Sequence, residues 1–402
     1  MNADRHAAFL VKLCAAALHE TECPKPDFEL DSSFLIKLIH AHHLSGLLYP
    51  VLKSANVLNE VALEALCRDF RADQMRDLAQ EDALEEITEA FSEAGIRFMM
   101  LKGIVMKRLY RKSYHRMMGD LDLYIYEADR QKSREVMESL GYETMLYEEL
   151  YDDVYYRRPF LNVEVHVALG EDGDSAHPYF DAIWSRAVQD AEYPVRFEMS
   201  PVDYYLYFVQ HAVKHCKSHG TGIRTLIDFW VVRRTLLPML DRAELEAVLT
   251  AFGSLTFERE FYALSEVWFD GAEGDSFQNE TMRRFLILEA GLYGNESNNL
   301  FHHVIEENDV ERAQSNKRKF FLKNVFPPRE RMAVKYPVLN RHPYLLFFCW
   351  IVRGVRALFH PQKIRKEAKL YADVTSGMDL HTEMRTRFGF LSSSGSDEHG
   401  AE

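Results

Sequence analysis

Two aspartates separated by one residue, Asp120 and Asp122, stand at the head of an apolar run, Leu121 to Tyr126. In a β-strand, residues i and i+2 point to the same face. The spacing therefore sets two carboxylates side by side. Such a pair repels itself unless a cation neutralises it. Hard oxygen ligands in small number suit Mg²⁺, which completes its shell with water and substrate phosphate oxygens. Neutralising either aspartate as Asn is then expected to leave stability intact or raised. Just upstream, Lys102, Lys107, Arg108, Arg111, Lys112 and Arg116 offer counter-charge for phosphates. Acid for a metal beside base for a phosphate is the logic of phosphoryl or nucleotidyl transfer. Gly103 follows Lys102, and a residue without Cβ lets backbone approach a phosphate closely at a helix N-terminus.

A third carboxylate, Glu164, lies in the alternating run Leu161-Asn162-Val163-Glu164-Val165-His166-Val167. Period-two alternation puts Glu164 and His166 on one face and the valines on the other. Strands over 121–126 and 161–168 are expected to be neighbours, with Glu164 turned toward both aspartates. Two metals roughly 3.5–4 Å apart need about that many anionic oxygens. An EF-hand is excluded. Tyr124 and Ile125 stand where an oxygen ligand and Gly are needed, and Gln131 stands where the bidentate Glu belongs. No Gly-x-x-x-x-Gly-Lys-Ser/Thr loop occurs.

Leu101-Lys102-Gly103, then Arg116-x-x-Gly119-Asp120-x-Asp122-Leu123, then Val163-Glu164-Val165-His166 resemble the bacterial uncharacterised nucleotidyltransferase family, within the polymerase-β-like nucleotidyltransferase superfamily. The likeness is strongest from Arg97 to Leu169. It implies Asp120, Asp122 and Glu164 as metal-holding catalytic acids, with Mg²⁺ as cofactor. It also implies that Lys102, Gly103 and Arg116 bind the nucleotide. His166, His211, His215 and Asp228 would face the acceptor side or cleft edge. The partners implied are an NTP and an unidentified acceptor. The superfamily's usual Ser at the turn is replaced here, with Lys102 before Gly103 and Ile104 after it, and the gap from Gly103 to Asp120 is longer than usual. Two alternatives stand beside this reading: a metal-dependent glycosyltransferase using Asp-x-Asp, and a non-catalytic nucleotidyltransferase-fold binding module.

His211, His215 and His219 recur every fourth residue, one face of a helix. Ala212 and Val213 follow His211, so the His-Glu-x-x-His of a metalloprotease is missing. His40, His42 and His43 read as a solvated or core-packed helix end.

These residues need a scaffold, and 402 residues suffice for two or three domains. The pattern predicts an α+β fold, a small mixed sheet with helices against one face. The expected organisation is an N-terminal helical region over 1–94, a nucleotidyltransferase core over 95–170 and a helical domain closing the cleft over 171–326. A C-terminal helical segment over 327–391 and a disordered tail over 392–402 complete it. A long helix is expected from Asn59 to Ala94, stopped by Gly95. Strands are expected over 97–101, 121–126, 142–147, 153–158 and 161–168, and helices over 103–111 and 128–139. From Pro178 onward the chain reads as helical, with a polar loop over 294–318 and a break at Pro327-Pro328.

The net charge of -14 argues against a non-specific nucleic-acid binder, whose affinity comes from neutralising phosphates. Five scattered cysteines with no Cys-x-x-Cys point to free thiols in a reducing cytoplasm. No signal peptide is expected at the N-terminus. The most apolar run, Tyr344 to Val352, stops at Arg353 and is far shorter than a membrane span. The segment Phe347 to Arg356, with Lys363, Arg365 and Lys366 beyond it, is amphipathic and basic. It reads as a buried C-terminal helix with a solvated basic end, contact with an anionic membrane surface being the alternative.

Overall fold

The computed structural model describes residues 3–147, 152–169, 177–218 and 220–289, and beyond them 326, 329, 332, 336, 338–358, 380 and 382–390. The chain divides into two compact units, one of Met1–Lys214 and Thr221–Leu292, the other of His215–Gly220 and Tyr293–Glu402.

In the first unit, α1 (Ala3–His19), α2 (Ser32–Ala41) and α3 (Ser45–Leu52) lead into α4 (Glu60–Ala94), the long helix expected from its lack of Gly and Pro. Asn59 caps its start, accepting the Ala62 N–H. Gly95 ends it at φ 66°, the left-handed region where a Cβ is penalised. The apolar stripe Ala83, Leu84, Ile87 and Phe91 of α4 packs on the sheet. Each large apolar side chain so buried contributes about 1.5–3 kcal/mol.

Next come β1 (Phe98–Met100), α5 (Lys102–Lys107), β2 (Leu121–Ile125), α6 (Arg130–Ser139), β3 (Glu143–Leu146), β4 (Asp152–Arg157) and β5 (Leu161–His166). After α7 (His177–Asp181), two short strands follow, β6 (Val188–Gln189) and β7 (Arg196–Glu198). The sheet order is β3-β4-β5-β2-β1-β7-β6. It is mixed: β2 runs parallel to β5 and β1 parallel to β7, while the remaining pairs are antiparallel. This is the expected α+β class. β6 and β7 correct the reading of this stretch as helical. At two and three residues they are too short to display a period, and β7 exists because it closes the open edge of β1.

Alternation sorts the two faces of the sheet. Leu121, Leu123, Ile125, Val163 and Val165 join α4 and Met137 of α6 in the core. Asp122, Tyr124, Glu164 and His166 project from the other face. The helices α8 (Pro201–Ser218), α9 (Ile223–Thr235), α10 (Arg242–Ala251) and α11 (Leu255–Ser265) follow. α11 passes into π-helical turns at Glu266–Asp270 where a continued α-helix is expected.

In the second unit, α12 (Leu346–Leu358) packs Cys349 with Met332 and Leu339, beside Leu346 and Trp350. Its other side is open, which corrects the expectation of a buried helix: Phe347 and Phe348 are each 61% exposed. Among the described residues no helix is long and apolar enough to cross a membrane. The loop over 294–318, the Pro327-Pro328 break and the tail over 392–402 lie outside the described residues. All five cysteines are free thiols.

Candidate active site

The site begins with register. In the parallel pair β2–β5, Asp122 is opposite Glu164 and Tyr124 is opposite His166. Parallel partners share a face, so an aspartate, a glutamate and an imidazole come together. One ligand atom from each of Asp122, Glu164 and His166 lies within 4.8 Å of the others. Lys102, at the head of α5, reaches in from β1's end, its Nζ donating to Asp122 Oδ1 at 2.7 Å. His166 Nε2 lies 2.8 Å from the same oxygen and 3.7 Å from Glu164 Oε2.

This arrangement treats the acids differently. Burial disfavours the charge on Asp122, but Lys102 and the His166 hydrogen bond outweigh it and hold its carboxyl well below the usual carboxylate range. Burial likewise opposes the Lys102 ammonium, and Asp122 overcomes that, keeping it protonated. Glu164 is held less closely, with His166 at 3.7 Å and Lys102 bonded to Asp122 instead. Burial, Asp122 and Asp120 push it up to about 8. Asp120 sits just before β2, half-buried, and is raised by burial and by Asp122. The tight group is thus Asp122, Glu164 and His166, with Asp120 at its side, close enough to raise Glu164.

The turn that delivers Lys102 is unusual. Lys102 has φ 44°, a left-handed conformation costing a non-glycine residue about 1–2 kcal/mol. Its carbonyl accepts the Tyr204 hydroxyl at 3.2 Å. The next residue must be glycine for packing: a Cβ on Gly103 would lie 2.7 Å from Cγ and Sδ of Met118 and 3.2 Å from Arg116 Nη1. Gly103 therefore lets α5 approach the loop that leads to Asp120.

That loop is pinned along its length. Gln80 of α4 donates to Met118 O at 2.9 Å and Arg224 of α9 to Met117 O at 2.7 Å. Arg116 pairs with Asp228 of α9, Nε to Oδ1 at 2.8 Å and Nη2 to Oδ2 at 3.0 Å. The Tyr110 hydroxyl donates to Asp228 Oδ1 at 2.6 Å. Two of the expected site residues, Arg116 and Asp228, are thus brought to each other. Three more members of the basic cluster are also engaged. Lys107, fully buried, pairs with Asp77 at 3.0 Å and Glu81 at 2.8 Å. Arg108 pairs with Glu198 at 2.9 Å, and Arg111 with Glu20. Five of the six upstream basic residues hold carboxylates, so their crowding in sequence does not create an open cationic patch.

Helix α8 brings side chains that the sequence reading missed. Tyr207 is buried, and burial together with Asp122 and Glu164 pushes its hydroxyl up to about 12 against the pull of Lys102. His211, one turn on, stacks against Tyr207 with ring centroids 6.2 Å apart. His215 falls in the second compact unit, and His219 lies outside the described residues. Tyr204, Tyr207 and His211 follow at i, i+3 and i+7, so helical spacing from His211 was a signal that could have found both tyrosines. Further along the same sheet face, Trp184 stacks on Tyr126 at 4.4 Å and on Tyr124 at 5.3 Å. Of the histidine cluster, His42 is buried with Nε2 bonded to Ile287 O at 3.0 Å, while His40 is exposed near Asp69.

A mixed sheet backed by α4 and α6, with acids gathered across two parallel strands, is an architecture consistent with a nucleotidyltransferase domain. The chain belongs to the family of uncharacterised nucleotidyltransferases, whose model matches residues 29–270. No curated protein and no solved structure matches it.

Glu164 gives a pH test of the site's electrostatics. Its carboxyl rises from an ordinary 4.5 to about 8 on folding. The folded chain therefore holds more protons than the unfolded chain between those values. The stability involved is present in full below 4.5 and is lost as pH rises through about 8. Thermal scans in chelator are expected to show Glu164→Gln melting higher than the parent at alkaline pH, by on the order of 5 °C. Near pH 5 the two should coincide. A lower melting point for Glu164→Gln at alkaline pH would contradict the assignment.

Proposed function

We propose that this chain is a Mg²⁺-dependent nucleotidyltransferase that moves an NMP group from an NTP to an unidentified hydroxyl or phosphate acceptor, releasing pyrophosphate. The observation that carries the reading is the registered pair Asp122 and Glu164 on one sheet face, with Asp120 adjacent. Three carboxylates at one place, one of them pushed up by burial and by the other two, are a donor set that fits a hard divalent cation. Mg²⁺ held by Asp120, Asp122 and Glu164 would lower the acceptor's pKa and offset charge at the α-phosphate. His166, bonded to Asp122, orients that carboxylate. Glu164, ionised once the cation offsets the neighbouring carboxylates, would accept the acceptor proton. Lys102 supplies positive charge to the phosphates from beside Asp122. Gly103 and Arg116 set the turn that holds Lys102 in place. Tyr207 and His211 of α8 lie on the acceptor side, with Asp228 on α9. The free cysteines fit a cytoplasmic setting.

Incubating the full chain with labelled NTPs, Mg²⁺ and a metabolite pool tests this. Pyrophosphate release, lost in Glu164→Gln while nucleotide binding persists, is the expected result. Release of UDP or GDP from nucleotide sugars would favour a glycosyltransferase instead. Nucleotide binding without any release would favour a binding module.

A further inference from the structure

Helix α12 of the second unit is apolar on two sides. Cys349 is buried in the small core, with Trp350 packed against it. On the other side Phe347 and Phe348 are each 61% exposed, Ile351 48% and Val352 44%, and Tyr344, three residues before Phe347, is 73% exposed. The spacing i, i+3, i+4, i+7 and i+8 from Tyr344 makes one continuous stripe. A surface helix ordinarily turns charged residues outward, and an aromatic–aliphatic stripe of this kind marks an interaction face.

The charge of the surrounding sequence says what kind. Residues 317–370 hold fourteen Lys and Arg against two acids, Glu330 and Glu367, although the whole chain carries -14. We propose that the outer face of α12 binds an anionic lipid surface, the stripe entering the headgroup boundary and the basic segment drawn to lipid phosphates. Apolar burial and electrostatic attraction act together in such interfacial helices. A nucleic acid would satisfy the positive charge but leave Ile351 and Val352 with nothing apolar to bury against. A second copy of this chain would cover the stripe but bring a like charge with it.

Sedimentation of the full chain with vesicles tests the proposal. Binding is expected to phosphatidylcholine vesicles containing phosphatidylglycerol, and not to phosphatidylcholine alone. It should weaken with salt. The double variant Phe347→Ser/Phe348→Ser should partition about tenfold less or weaker still. Both side chains are exposed, so it should melt like the parent. The triple variant Lys363→Glu/Arg365→Glu/Lys366→Glu, which leaves the stripe intact, should also lose binding. Three results would overturn the idea: equal binding to neutral vesicles, absence of binding to both, or anionic binding unchanged in both variants. RNA retention that ignores the vesicles, or a dimer that the serine variant dissociates, would assign the face to another partner and likewise overturn it.

Discussion

Asp122→Asn is expected to lose both turnover and folding stability, whereas Asp120→Asn should lose turnover alone. The two residues look equivalent in sequence, and mutual repulsion suggests that neutralising either relieves strain. The structure separates them. Asp122 Oδ1 receives Lys102 Nζ at 2.7 Å and lies 2.8 Å from His166 Nε2, so its charge is matched where it is buried. Removing it leaves the largely buried Lys102 ammonium beside a neutral amide. Breaking one side of a buried pair costs about 3–5 kcal/mol, and the residual exposure of Lys102 brings the expectation to about 2–4 kcal/mol. That corresponds to a melting point lower by about 5–10 °C. Asp120 is raised by burial and by Asp122. Its neutralisation removes an unfavourable charge, so stability should hold or rise. Denaturant titration of both variants at neutral pH, beside a pyrophosphate assay, checks the contrast. Equal stability of Asp122→Asn and parent would mean that the Lys102–Asp122 pair contributes nothing to the fold.

What was legible in the sequence was local. The period of two put Glu164 and His166 on one face of their strand, because alternation needs no knowledge of the rest of the chain. The expected neighbourhood of the two strands, which the β2–β5 pairing bears out, brought Asp122 to the same face. The ends of α4 were readable from Asn59 and Gly95, since capping chemistry lies within a turn of the helix end. Side-chain ion pairs over long separations were not readable. Arg116 and Asp228 are 112 residues apart, and Lys102 and Asp122 bind across a turn whose left-handed lysine has no sequence signature. A run of basic residues therefore suggested an open phosphate patch, where the fold distributes five of the six side chains among carboxylates of α4, β2, β7 and α9 and Glu20. The packing of Trp184 on Tyr124 and Tyr126 depends on a topology that brings the stretch after β5 back over the sheet. The choice between a buried and an exposed α12 went to the buried one for a related reason: an apolar pattern states which residues avoid water, and not what covers them.

Arg116→Ala should destabilise the first unit more than it weakens nucleotide binding. Its guanidinium makes two parallel bonds to Asp228, a geometry that lysine cannot reproduce. Asp228 is buried and also accepts from Tyr110. Deleting the arginine leaves that carboxylate with one neutral donor, at a cost of about 3–5 kcal/mol. It also frees the loop before Asp120 from α9, so any loss of turnover would follow from a displaced Asp120. Asp228→Asn should cost less, because the amide keeps the shape and one acceptor. The two changes together should be far from additive, with a coupling energy of about 2 kcal/mol or more in a double-mutant cycle. The competing role for Arg116, as a free cation on the triphosphate, makes the opposite forecast. Affinity for a non-hydrolysable NTP would then fall by about 1.5–3 kcal/mol with folding stability unchanged. Calorimetry and denaturant titration on the same two variants decide between them. Full stability in Arg116→Ala, combined with lost affinity, would show that the arginine leaves Asp228 for the nucleotide. A large stability loss with affinity retained in the folded fraction would fix it as the clamp that holds the acid loop to α9.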